Sequence, residues 1–127
     1  MAIPSGTGTE VLRTGRWDAQ STDVTSFDFA AANPTLGDET DTVPANHIIT
    51  FIFASWTETG NAAEIIRMFG SFDSKAIFMF VNQKLGAYDT FIWNTKFVLV
   101  GGDFLKTVTQ STADVDVFYT YLDQNWA

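Results

Sequence analysis

The side chains able to do chemistry are few and scattered. His47 is the single histidine. One imidazole cannot build a two-histidine metal site, and a catalytic dyad needs a nearby nucleophile that the spacing does not supply. His47 sits at the start of a strand-forming run just after Pro44, which suits a structural role. Asp114 and Asp116 are two positions apart. On a strand that puts both carboxylates on one face, roughly 7 Å from each other. This is wide for one ion, and alternation with Val115 and Val117 explains the pair as the solvent face of an amphipathic strand. Asp38-Glu39-Thr40-Asp41 lacks the spacing and the glycine of an EF-hand loop. Gly6-Thr7-Gly8-Thr9 lacks the Gly-Lys-Ser/Thr ending of a phosphate cradle. Among 15 acidic residues no pair is singled out for glycoside hydrolysis. With no cysteine, thiol nucleophiles, zinc-thiolate sites and disulfides are excluded. The expectation is a protein that is not an enzyme and holds no metal or cofactor.

The elements that would position these groups read as strands. Residues 10–17 form a short strand and residues 18–23 a polar turn. Residues 24–29 alternate, with Val24, Ser26 and Asp28 on one face and Thr25, Phe27 and Phe29 on the other, the signature of a half-buried strand. Residues 30–44 make one long loop. Residues 46–56 are the strongest strand, β-branched or aromatic on both faces, as a central strand requires. Residues 62–69 fit either a short helix or a strand. The strand reading is preferred because strands flank it and two turns of isolated helix are marginal. Residues 75–81, 90–100, 104–109 and 114–122 complete the set, with a turn at residues 85–89. Val115, Val117, Tyr119 and Tyr121 share one face of the last strand. Short strands with turns roughly ten residues apart predict an all-β chain, an antiparallel β-sandwich or jelly roll of about eight strands. An extended arm over residues 1–12 precedes a single sandwich domain over residues 13–127.

Composition bounds the partners. The chain has 127 residues, 46% hydrophobic and 15% aromatic, with twelve Phe. Phe contributes burial alone, so a thick core or a large buried interface is expected. A formal net charge of −8 repels polyanions and anionic membranes at long range, which argues against both as partners. The first residues lack the basic and apolar regions of a secretory signal. No run is long enough to span a membrane as a helix.

Several stretches are similar to small β-sandwich structural proteins of tailed-phage particles. Thr42-Val43-Pro44-Ala45-Asn46-His47-Ile48-Ile49 opens a long strand. Leu99-Val100-Gly101-Gly102-Asp103-Phe104-Leu105 gives the Leu-x-x-Gly-Asp-x-Leu pattern, and Val115-Asp116-Val117 starts the final strand. The first twelve residues, Met1 onward, resemble the start of short structural proteins of marine phages. The resemblance implies a virion protein on the capsid surface, of the cement or decoration type, that binds the major capsid protein and forms a homo-oligomer, with a trimer favoured. A tail or fibre component, or a receptor- or glycan-binding module of the virion, is the alternative. Partner contacts are expected at Ile3, Pro4, Val11, Leu12, Arg13, Arg16, Trp17 and Trp126, because an arm can order on a neighbour and Arg and Trp favour interfaces. Trp56 and Trp93 are the candidates for stacking sugars, although a core position suits both.

Overall fold

The computed structural model describes residues 9–20, 25–29, 42–72, 75–110 and 114–125. Nine strand segments are present among them: β1 (Thr9–Gln20), β2 (Thr25–Ser26), β3 (His47–Glu58), β4 (Glu64–Phe72), β5 (Lys75–Leu85), β6 (Thr90–Trp93), β7 (Phe97–Val100), β8 (Phe104–Thr109) and β9 (Val115–Asn125). All pairings are antiparallel. The expected all-β sandwich is what forms.

The pairing runs from the outside of the chain inward. β1 pairs with β9, β2 with β8, β3 with β6 and β7, and β4 with β5. Two further pairings, β3 with β9 and β4 with β8, roll this long hairpin into two sheets. The orders are β1-β9-β3-β6/β7 and β2-β8-β4-β5, which is the jelly-roll winding. β6 and β7 share one position along β3. Ala54 faces Trp93 and Phe51 faces Phe97, so three residues, Asn94 to Lys96, detour around two. Trp93 Nε1 closes the detour by donating to the Thr95 carbonyl at 2.9 Å.

Between the sheets lies one apolar core. Ile49, Phe51, Trp56, Val117, Tyr119 and Tyr121 come from the five-stranded sheet, and Ile66, Met68 and Leu105 from the other. Phe27 and Phe29, just after β2, fill the centre: Phe27 meets Tyr119 at 4.7 Å and Phe29 meets Tyr121 at 4.9 Å, both edge to face. Such contacts add about 0.5–1.5 kcal/mol each beyond area burial. Period-two alternation thus builds the core as expected, and Val115, Val117, Tyr119 and Tyr121 are all buried on one face of β9.

Several boundaries differ from expectation. Of the expected 24–29 strand, Thr25–Ser26 pairs with β8 as β2, and Ser26, expected on the polar face, is buried. Residues 9–12, where the expected arm and the expected 10–17 strand overlap, belong to β1 and pair with residues 125–122 of β9. Backbone pairing to a long partner holds them even though Val11 and Leu12 are exposed. Residues 18–20, expected in a turn, extend the same strand. β5 continues to Leu85, which is buried. The 90–100 run divides into β6 and β7. The ambiguous 62–69 stretch is a strand, as preferred, with Ile66 and Met68 inward.

Candidate assembly surface

Register and alternation assign the outward side chains of the five-stranded sheet. One row crosses it as Leu12, Leu122, Thr50 and Val98, and another as Arg16, Phe118, Ser55 and Ile92. Phe53, between the rows, meets Phe118 of the second row with ring centroids 6.3 Å apart. Leu12 is 65% exposed, Ile92 53%, Val98 49% and Phe118 43%. Among the described side chains, the charges on this face, Glu10, Arg16 and Asp116, lie on β1 and β9. The outward positions of β3, β6 and β7 carry none. A shallow groove of about 380 Å³ follows β1, lined by Leu12, Arg16 and Phe118 among others. An apolar, uncharged centre with charges toward one side is the pattern of a contact surface.

The inward side of β1 is tied down. Arg13 Nε lies 3.3 Å from Asp123 Oδ2 on β9, and His47 Nδ1 lies 2.7 Å from Asp123 Oδ1. A carboxylate only accepts, so His47 donates from Nδ1. Arg13, expected at an interface, is thereby engaged within the chain, and His47 shares the same carboxylate. Gly15 lies opposite Tyr119, whose ring occupies the space a side chain would take. The Tyr119 hydroxyl donates to the Asp28 carbonyl at 2.9 Å.

At one end of the sandwich the loops gather on Glu58, the last residue of β3. Its buried carboxylate accepts backbone N–H bonds from Gly60 at 2.7 Å, Ala62 at 3.1 Å and Tyr88 at 3.0 Å. The Tyr88 N–H above all, helped by Gly60, Ala62 and Asn61, holds the carboxyl pKa below its ordinary value against the opposing effect of burial. Tyr88 adopts φ 60° and leaves its ring exposed. Its left-handed backbone, costly for a bulky residue, persists because Glu58 grips its amide. Nothing in the residue pattern marks this clamp, since an acid at a strand end looks like any other surface acid.

Trp56 is fully buried, with Nε1 donating to Thr107 Oγ1 at 3.1 Å. It is a core residue and not a sugar platform. Trp93 is half-buried against Phe80 and Phe97. Asp114 supplies its carbonyl to the Thr59 N–H at 2.7 Å. Among the described residues no group of three His, Asp or Glu side chains could hold a metal ion. Ile3, Pro4, Trp126 and the 38–41 acidic stretch lie outside the described residues, as does the side chain of Trp17.

No protein-family model matches the chain, and no curated protein matches it. Among solved structures, it is similar to a chain of the T13 particle of IBDV, infectious bursal disease virus, at 10% identity and TM-score 0.45. That match covers 97% of this chain and 36% of the other, so the chain spans about a third of the length of its viral neighbour. It is similar to the globular domain of zebrafish complement 1qA at 15% identity and TM-score 0.41, covering 93% of this chain and 95% of that one. It is also similar to a chain of the naturally occurring empty particles of cowpea mosaic virus, at 11% identity and TM-score 0.39, covering 100% of this chain and 89% of that one.

Proposed function

We propose that this chain is a structural protein of a phage particle, a cement or decoration protein on the capsid surface. It works by binding, not by catalysis, and its partners are the major capsid protein and further copies of itself, with a trimer as the favoured state. The observation that carries the reading is the uncharged, apolar centre of the outer face of the five-stranded sheet, around Leu122, Thr50 and Val98. A cement protein must cover apolar surface between neighbours and needs little chemistry of its own. The sequence patterns at residues 42–49, 99–105 and 115–117 point the same way. Leu12 and Arg16 border the face and remain proposed partner contacts, whereas Arg13 supports β1 from within.

The test compares particles with and without the protein. Particles carrying it should survive higher temperature and stronger osmotic shock than particles lacking it. Leu12→Lys and Val98→Lys should stay folded, since exposed substitutions usually cost within about 0.5 kcal/mol, yet should fail to bind particles. Equal resistance of the two particle types would sink the reading.

A further inference from the structure

The two long sheet edges differ in how they are protected. β1, at one edge of the five-stranded sheet, is interrupted by Glu10, Arg13, Arg16 and Asp18. Charges at such spacing discourage an open edge from pairing with other chains. β5 is an edge of the four-stranded sheet, and the eight residues between Lys75 and Lys84 are all uncharged. Its register with β4 shifts twice, between the Gly70-side pairs and Gln83, with the extra residues falling at Met79 and at 81–82. Those bulges bend one half of the edge away from pairing. The other half is regular: residues 75–78 pair in step with residues 72–69, and all four are exposed. Ile77 and Phe78 point to opposite faces and are each 51% exposed.

Charge is segregated to the same sheet. Of seven cations in the chain, Arg67, Lys75, Lys84 and Lys106 lie on strands of the four-stranded sheet. The single acid on those strands is Glu64, which is buried. Phe69 and Phe78 meet at 5.0 Å beside this basic ground. Lys106 Nζ sits 4.4 Å over the Phe104 ring. A protein of net charge −8 therefore presents a locally cationic strand with one paired neighbour among the described residues and apolar side chains on both faces.

We propose that residues 75–78 of β5 form a docking edge for an extended, carboxylate-bearing segment of a partner protein, which joins the four-stranded sheet as an additional strand. Backbone hydrogen bonds supply affinity, Ile77 and Phe78 supply apolar contact, and Lys75, at the start of the regular half, selects for acid in the incoming strand. A second β5 is the wrong occupant, because a strand whose only charges are lysines offers no carboxylate to another like it. The edge does not depend on the virion reading and is present wherever the chain resides.

The experiment uses the full chain and a ten-residue synthetic peptide alternating Asp with Val and Thr, with a control in which Lys replaces Asp. The acidic peptide should slow amide exchange at residues 75–78 and bind about tenfold or more tightly than the control, roughly 1.4 kcal/mol. The variant Lys75→Glu should reverse that preference, and Phe78→Ser should weaken both peptides while leaving the charge preference intact. Absence of acidic-peptide binding, equal binding of the two peptides, or protection on β1 instead of β5 would overturn the proposal. So would protection of residues 75–78 without peptide in a sample that self-associates, because the occupant would then be a second copy.

Discussion

His47 Nδ1 and Asp123 Oδ1 lie 2.7 Å apart, and the other Asp123 oxygen faces Arg13. One nearly buried carboxylate on β9 thus fastens an edge strand on one side and the central strand on the other. Asp123→Ala leaves both donors without their acceptor and should cost about 1–3 kcal/mol. The loss should appear as a lower urea midpoint with an unchanged slope. A double-mutant cycle with Arg13→Ala should give a coupling near 1 kcal/mol, discounted because Arg13 is partly solvated. Simple additivity would show that the pair contributes nothing.

Tyr119 and Tyr121 stack side by side at 5.8 Å but differ at their hydroxyls. Tyr119 donates to the Asp28 carbonyl, while the buried Tyr121 hydroxyl has no hydrogen-bond partner among the described residues. Burial, chiefly, raises the Tyr121 pKa well above the ordinary tyrosine value. Tyr119→Phe should lose about 1 kcal/mol. Tyr121→Phe should be neutral or stabilising by up to about 1 kcal/mol, since it removes a polar atom that gave up water for nothing. Thermal denaturation of the two variants side by side decides it. A larger loss for Tyr121→Phe would contradict the assignment.

Glu58 makes the fold sensitive to acid. Its pKa in the folded chain lies below the ordinary 4.5, so on acidification the unfolded chain takes up this proton first. The stabilisation is complete above about that ordinary value and fades as pH falls through the lowered one. Glu58→Gln should melt lower than the native chain at pH 7, with the gap closing below pH 4.5. Exchange of the Gly60, Ala62 and Tyr88 amides should quicken in the variant. A gap that stays constant from pH 7 to pH 3, a span chosen around the usual carboxylate range, would show that the clamp is not ionic.

Two glycines should separate crowding from backbone strain. A Cβ on Gly15 would collide with the hydroxyl end of the Tyr119 ring, at Cζ, Cε1 and Oη, whereas one on Gly102 meets nothing within 4 Å. Gly102 instead needs its φ of 90° in the turn closed by the Asp103 N–H to the Val100 carbonyl at 2.9 Å. Gly102→Ala should cost about 1–2 kcal/mol, the backbone term alone. Gly15→Ala should cost more, about 3 kcal/mol, and should disturb the near-ultraviolet tyrosine signal. The opposite ranking would mean that the Tyr119 ring swings clear at little expense.

The sequence by itself determined the strand content, because period-two alternation of apolar side chains follows from the geometry of an extended backbone and holds wherever a strand has one buried face. That is why the burial of Val115, Val117, Tyr119 and Tyr121 was legible, and why the 62–69 stretch could be read as strand from its neighbours. Tertiary structure alone decided what depends on which strands become neighbours. The jelly-roll order, the placement of residues 9–12 against β9, and the inward turn of Arg13 onto Asp123 all rest on contacts between residues about a hundred positions apart. Local spacing carries no record of such distances. The same holds for Glu58, whose clamp exists only because the loops at 59–62 and 86–89 close over one carboxylate, and for β5, whose exposed ladder is an edge only because β4 has β8 on its other side.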